Sequence, residues 1–238
     1  MGKKRRKKRK LTARQRQQGM RKILKAGVFV LASVFAILVG VKFVVPLFAS
    51  DEYKENNGEA INAFQPDIDV ELLTVNPYSR PGTETNKITG IVVHYTANPG
   101  TTAEQNRSYF ESLAETGETH ASSHFIIGIS GEIIQCIPCN EISYASNDRN
   151  SDTISVECCI PDESGKFTDE TYQSLVELVA WLMGRYELTA DDVIRHYDVT
   201  GKDCPKYFVE NSNAWSDFKT DLLTYIDTYG IEKTQEIN

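Results

Sequence analysis

The sequence predicts an α/β domain, with a central mixed β-sheet flanked by helices, behind a single N-terminal transmembrane helix. Short β-branched segments alternate with longer amphipathic segments after about residue 73, which is typical of a sheet covered by helices. One long apolar run precedes them. With 238 residues and 40% hydrophobic content, the chain is long enough to bury the core of one such domain.

The first 49 residues predict a basic tail followed by a membrane anchor. Residues 1–25 contain 13 of the 26 lysines and arginines, whereas all 33 acidic residues come later. Residues 26–49 are apolar except for Ser33 and Lys42. As a helix they would be about 36 Å long, which exceeds the roughly 30 Å hydrocarbon core of a bilayer. We therefore expect a transmembrane helix over 26–49.

The charge asymmetry also predicts how the chain is oriented at the cell membrane. The positive-inside rule keeps residues 1–25 in the cytoplasm and places the acidic remainder outside the cell. We interpret the basic tail as a topology signal that attracts anionic membrane lipids, not as a nucleic-acid site. A signal peptide cleaved near Ala49, which would release the domain, is the alternative. The long basic region and the length of the apolar run favour a retained anchor.

The segments on either side of the predicted domain are polar. Residues 50–72 are acidic and lack a long apolar periodicity, so we interpret them as an extracellular stalk. The domain itself is predicted over 73–229, and residues 230–238 form a C-terminal tail. The sequence carries no indication of an oligomeric state.

The elements of the domain follow in order along the chain. KITGIVVHYTA (87–97) predicts a buried strand, and the next segment predicts a helix with Thr101 and Glu104 in capping-box spacing. HFIIGISGEIIQCI (124–137) predicts a hairpin that turns near Ser130 and Gly131, and DTISVECCI (152–160) predicts another strand.

Two helices complete the predicted domain. One begins at about Thr168, with Asp169 and Glu170 in its first turn. Its apolar face consists of Tyr172, Leu175, Val176, Val179, Leu182 and Met183. The last helix has Trp215, Phe218, Leu222 and Ile226 on one side.

Candidate metal ligands lie at two distant places in the chain. IRHYDVTGKDCP (194–205) contains His196 and Cys204, and its Gly201 and Pro205 predict a tight loop in place of a helix or strand. His94 ends the apolar strand, where sites on α/β folds collect. Two histidines and one cysteine with a fourth position open are typical of a catalytic zinc.

His120 and His124 are an alternative pair of ligands at i, i+4 spacing. The preceding Gly117 and the following β-branched residues disfavour the helix that such a pair requires. We therefore interpret both histidines as hydrogen-bonding residues.

Four motifs together resemble a known family. IVVHYTA, SSHFIIGISGEIIQ, NSDTISVE and HYDVTGKDCP occur in the order and spacing of zinc-dependent N-acetylmuramoyl-L-alanine amidases. This domain type is shared by phage endolysins and animal peptidoglycan recognition proteins. The resemblance implies a peptidoglycan substrate and hydrolysis of the amide between N-acetylmuramic acid and the L-alanine of the stem peptide.

The resemblance also implies a role for particular residues. By that match, His94, His196 and Cys204 hold Zn²⁺. Glu157 matches the carboxylate that transfers the proton, and an unpaired acid in the apolar context of ISVECCI would otherwise be costly. Lys202 matches a lysine that steadies the oxyanion in some relatives. Relatives in the phage branch have a tyrosine where this chain has Ser123, so catalysis here would depend on Glu157.

The main alternative function is a peptidoglycan-binding receptor or scaffold that has lost the chemistry. Recognition-only relatives lose the cysteine ligand, and this chain has Cys204 together with Glu157, which favours the enzyme. A zinc peptidase with a helical His-Glu-x-x-His motif is excluded because the motif is absent. The four remaining cysteines are compatible with disulfides or with buried thiols. They are Cys136, Cys139, Cys158 and Cys159.

Overall fold

The computed structural model describes residues 61–230. The predicted basic tail (1–25), the predicted transmembrane helix (26–49) and residues 231–238 lie outside the described residues. Within 61–230, no helix combines the length and the apolar character needed to cross a bilayer.

One six-stranded sheet forms the centre of the domain. Its strands are β1 (Asp69–Val70), β2 (Gly90–Tyr95), β3 (Phe125–Ile127), β4 (Ile133–Gln135), β5 (Thr153–Cys158) and β6 (Val193–Arg195). Their order across the sheet is β1-β4-β3-β5-β2-β6. The β3–β4 hairpin is antiparallel and the other four pairings are parallel. The predicted mixed sheet is therefore confirmed.

Helices cover both faces of this sheet. They are α1 (Ala103–Thr116), α2 (Asp169–Tyr186), α3 (His196–Thr200), α4 (Lys206–Glu210) and α5 (Ser212–Tyr225), with a π-helical turn over Ile226–Gly230. On one face, residues of α2 and α5 such as Leu175 and Phe218 pack with Val93 of β2. On the other face, Leu113 of α1 packs with Ile126 of β3. Two apolar cores thus hold the sheet rigid from both sides.

The amphipathic helices begin and pack largely as their sequence patterns predict. Thr168 caps α2 by accepting a hydrogen bond from the Thr171 amide, as expected. The capping box of α1 lies one residue further on than predicted, between Thr102 and Gln105. The Thr101 hydroxyl is engaged elsewhere, since it accepts from the side-chain amide of Asn106 at 2.9 Å and donates to the Asn98 carbonyl at 2.7 Å.

The segment 194–205 differs from the predicted loop, because it begins in β6 and continues into α3. Asp198 accepts three hydrogen bonds from Arg195, two from its guanidinium and one from its backbone amide, and so closes the first turn of α3. Gly201, at φ 76°, ends the helix in the left-handed conformation. Only the stretch from Gly201 to Pro205 is the expected tight turn.

The part of the predicted stalk that the structure describes, residues 61–72, contacts the domain. Val70 and its neighbour pair with β4, and Ala63 is buried in the apolar core next to Gly230. The amide of Asn62 donates to the carbonyl of Gly230. A two-residue strand and an isolated alanine carry no periodic signal, which is why the sequence pattern did not include them in the domain.

Candidate metal centre and active site

Sheet register places three of the predicted site residues side by side. His94 of β2 is the Cα partner of Glu157 in the adjacent parallel strand β5. On the other side of β2, Val93 is the partner of Arg195, so the next residue, His196, is level with His94. Paired residues of parallel strands point to the same face, so the three side chains converge at the carboxyl end of the sheet.

The structure brings the three predicted metal ligands into one cluster. The donor atoms of His94, His196 and Cys204 all lie within 4.8 Å of one another. The Nδ1 atoms of the two histidines are 3.1 Å apart, and the cysteine Sγ lies 3.8 Å from Nδ1 of His94. All three side chains are buried. Residues 110 and 102 positions apart in the chain therefore form one donor set.

The chemistry of this donor set fits zinc. Burial lowers the pKa of both histidines, so their imidazoles are neutral and offer lone pairs. Burial also raises the pKa of the Cys204 thiol to about 12. A bound cation would offset the cost of burying the charged thiolate, because thiols that coordinate a metal are deprotonated. Two imidazole nitrogens and one thiolate are ligands that zinc accepts, with a fourth position left for water or substrate.

Glu157 supplies a carboxylate with one unpartnered oxygen next to the cluster. Its Oε2 is buried, and in the part of the chain that the structure describes it has no hydrogen-bond partner. Burial raises the pKa of Glu157 to about 8, while the positive charge of Lys202 acts in the opposite direction. An acid held in this way is suited to accept and return a proton.

A cleft of about 370 Å³ opens onto these groups, and we call it the site cleft. Its lining includes His94, His196, Glu157 and the exposed Lys202. The rest of the wall is formed by Phe110, His120, Ala121, Ser122, Tyr144, Ala145, Asn147 and Asn150. The site cleft therefore gives a substrate access to two of the candidate ligands, His94 and His196, and to Glu157 at the same time.

The alternative histidine pair does not form a metal site. His120 lies in the wall of the site cleft, with its ring 5.2 Å from that of Tyr144 and outside the donor cluster. His124 is fully buried elsewhere, with Nδ1 2.9 Å from Ser155 Oγ and Nε2 2.9 Å from the Glu141 carbonyl. Burial lowers the pKa of His124 to about 4, as expected for a neutral structural histidine. The interpretation of the two histidines as hydrogen-bonding residues is therefore confirmed for His124, whereas His120 makes ring contacts with Tyr78 and Tyr144.

Ser123 and the remaining cysteines are not part of the cleft wall or of the ligand cluster. Ser123 is fully buried, and its hydroxyl is 2.9 Å from the Phe125 carbonyl and 3.0 Å from that of Ser155. It is not part of the cleft wall. All five cysteines are buried and free, so the four outside the cluster are packed thiols and form no disulfide.

Sequence reasoning missed two residues that contact the histidine ligands. Ser146 Oγ is 3.2 Å from Nε2 of His94, and Asn147 Oδ1 is 3.0 Å from Nε2 of His196. Both belong to a polar connection before β5, at positions 52 and 49 residues away from their partners. Short polar stretches of this kind are common in loops, so no local signal identifies them.

The fold and the site together define a mixed-sheet α/β domain with a candidate His-His-Cys metal-binding cluster beside a half-buried glutamate. The profile of the family described as N-acetylmuramoyl-L-alanine amidase matches residues 84–207, just over half of the chain. The chain belongs to the N-acetylmuramoyl-L-alanine amidase family. The match contains all five predicted site residues.

Individual relatives agree with this assignment. The chain is 36% identical over 175 residues to the N-acetylmuramoyl-L-alanine amidase CwlL of Bacillus licheniformis, which covers 68% of this chain and 48% of that protein. It is 33% identical over 182 residues to the amidase BlyA of Bacillus subtilis, with the same coverage. The chain therefore spans about half the length of the curated relatives it matches.

Solved structures show the same fold. A mutant endolysin from Bacillus subtilis superposes with a TM-score of 0.57 at 27% identity, covering 66% of this chain and 99% of that one. The catalytic domain of XlyA superposes with the same TM-score at 26% identity and the same coverage. The superposition therefore covers nearly the whole of each of these two solved structures.

Proposed function

We propose that the chain is a zinc-dependent cell-wall hydrolase that cleaves the amide between N-acetylmuramic acid and L-alanine in peptidoglycan. The observation that carries this proposal is the convergence of three metal-ligand atoms within 4.8 Å beside Glu157, whose Oε2 has no hydrogen-bond partner among the described residues. A domain that only bound peptidoglycan would not require an acid with a buried, unsatisfied oxygen, which is costly to retain.

Three residues would hold the metal: His94, His196 and Cys204. Zinc bound in such a site lowers the pKa of a water molecule to about 7 and polarises a carbonyl oxygen. The protein supplies the buried donor set and the access through the site cleft. His94 lies in β2 and His196 directly follows β6, so two of the three donors are positioned by paired strands of the central sheet.

Glu157 would transfer the proton during hydrolysis. Its carboxylate accepts a proton from the attacking water and then returns it to the nitrogen of the departing L-alanine. The water oxygen forms the new bond to the lactyl carbonyl carbon, and the carbon–nitrogen bond breaks. The raised pKa of this buried acid is consistent with holding the proton between the two transfers.

Lys202 would assist by stabilising negative charge on the carbonyl oxygen. The ammonium lines the site cleft, and its charge influences Glu157 and both histidine ligands. Its side chain is exposed, so solvent screens part of this effect. We therefore assign it an auxiliary role.

The reaction is tested by digesting purified bacterial cell wall with the full-length chain. We expect new free amino termini on L-alanine, while the glycan strands remain intact. New reducing sugar ends would indicate a glycosidase. Binding to the wall without any new amino termini would instead support the receptor alternative and would contradict the proposed hydrolysis.

We also propose that residues 26–49 anchor the protein in the cell membrane, with residues 1–25 in the cytoplasm beside anionic lipids and the domain outside. The concentration of 13 basic residues ahead of the apolar run supports this orientation. Protease added to intact cells without their wall should degrade the domain and leave the basic tail intact. A protected domain would contradict the orientation, and a soluble form beginning near Ser50 would indicate cleavage.

A further inference from the structure

The connection before β5 holds the outer nitrogens of both histidine ligands. Whereas the two Nδ1 atoms face each other at 3.1 Å, each Nε2 points to a side chain of this connection. Ser146 Oγ contacts His94, and Asn147 Oδ1 contacts His196. We call Ser146 and Asn147 the support pair.

The two members of the support pair differ in how far they determine which ring nitrogen of their histidine carries the proton. The side-chain oxygen of an asparagine only accepts hydrogen bonds, so the 3.0 Å contact requires the proton of His196 to be on Nε2. A neutral imidazole carries one ring proton, so Nδ1 of His196 then presents its lone pair to the ligand cluster. A serine hydroxyl both donates and accepts, so Ser146 accommodates either tautomer of His94.

The backbone of the connection holds Asn147 in a conformation that is unfavourable for most residues. Asn147 has φ 51°, in the left-handed region that few residues other than glycine and asparagine adopt readily. The chain around it is tied down by Asn150, whose Oδ1 accepts from the amides of Ala145 at 3.1 Å and Ser146 at 2.6 Å. Asn147 itself is exposed to the site cleft, so it contributes little to the core.

We propose that Asn147 is a positioning residue for the metal centre: its Oδ1 selects the tautomer in which His196 offers Nδ1 to the ion. This inference rests on the proposed zinc site. It assigns Ser146 a weaker role, because a hydroxyl that follows either tautomer does not select one.

Four single variants of the full-length chain test the inference, with zinc affinity measured by competition against a chromophoric chelator. Asn147→Gly and Asn147→Ala both remove the acceptor. We expect each to weaken zinc binding by about 10- to 100-fold, the usual effect of removing a group that orients a ligand histidine. Asn147→Asp retains an oxygen acceptor and tolerates the positive φ, so its affinity should stay within about threefold of the unmodified chain. Ser146→Ala should lose less affinity than Asn147→Gly.

The thermal midpoint of the metal-free variants separates positioning from a structural effect. Glycine adopts the positive φ readily, whereas alanine is strained there, so Asn147→Ala should melt at a lower temperature than Asn147→Gly. If the acceptor is what matters, the two variants will nevertheless lose zinc affinity equally. A loss of affinity that follows the melting temperature instead would overturn the positioning role.

Two further outcomes distinguish this inference from the proposal on which it rests. If the unmodified chain fails to bind zinc, the metal site is wrong and the inference is overturned with it. If the unmodified chain binds zinc and Asn147→Gly binds it equally well, or Asn147→Asp loses as much as Asn147→Gly, only the positioning role is wrong.

Discussion

Replacing Cys204 with serine should lower zinc affinity by an order of magnitude or more and abolish hydrolysis of cell wall. The substitution exchanges a thiolate for a neutral hydroxyl, which is a poor ligand for zinc. The sulfur lies 3.8 Å from Nδ1 of His94 in the buried cluster. Among the described residues, the cluster contains no further His, Cys, Asp or Glu that could take its place as a ligand. Zinc content by metal analysis and release of L-alanine amino termini measure the two effects.

Two control variants show that the effect belongs to the cluster. Cys139→Ser changes another buried cysteine, whose Sγ lies 3.7 Å from Nε2 of Gln135, an amide that can also donate to a serine hydroxyl. His120→Ala changes a histidine in the wall of the site cleft. Both variants should bind zinc like the unmodified chain. Full zinc content in Cys204→Ser together with loss of zinc in His120→Ala would show that the ligand assignment is wrong.

Glu157→Gln should reduce kcat by about 100- to 10,000-fold while zinc remains bound, since this is the usual contribution of a general base. Glutamine has nearly the same shape, but it does not accept the proton from the attacking water. Because Glu157 lines the site cleft and is not a member of the ligand cluster, the metal should stay at full occupancy. The binding of a muropeptide should change little, so the loss should appear in kcat. Single-turnover kinetics and metal analysis of one preparation give both quantities.

Lys202→Met is the comparison for this experiment. It removes a charge from the same cleft without removing a proton acceptor, and the lysine is exposed, so its loss should cost less in kcat than that of Glu157. A Glu157→Gln protein without zinc would make this residue a ligand or a structural support. Near-normal kcat in that variant would remove Glu157 from the mechanism.

The local elements of the fold could be predicted because their signals lie within a few residues of one another. Thr168 and the apolar positions of α2 form a cap and a stripe at helical spacing, and the structure buries that stripe. The hairpin turn was predicted at Gly131 because glycine adopts a positive φ without strain, and the structure gives this residue a φ of 87°. By contrast, β1 has two residues and α3 has five, so neither is long enough to produce a periodic pattern.

The candidate ligands show the same difference between local signals, which a sequence carries, and long-range contacts, which it does not. His94, His196 and Cys204 were recognisable by residue type and by the motifs around them. Their assembly is a property of the sheet, because the parallel register of β2 with β5 and β6 sets Glu157 and His196 level with His94. Strand register is a non-local choice made by packing and backbone pairing, and residues 102 positions apart in the chain leave no pattern that reveals it.

By itself, the sequence determined the class of fold, the order of most elements, the charge asymmetry of the chain and the residue types available for a metal centre. These properties depend on hydrophobic periodicity, turn chemistry and side-chain identity, which are local. Only the tertiary structure decided that residues 61–72 pack against the domain and that His120 stays outside the cluster. It also decided that Asn147 contacts His196, because each of these contacts joins segments whose proximity arises only when the sheet and its connections are folded.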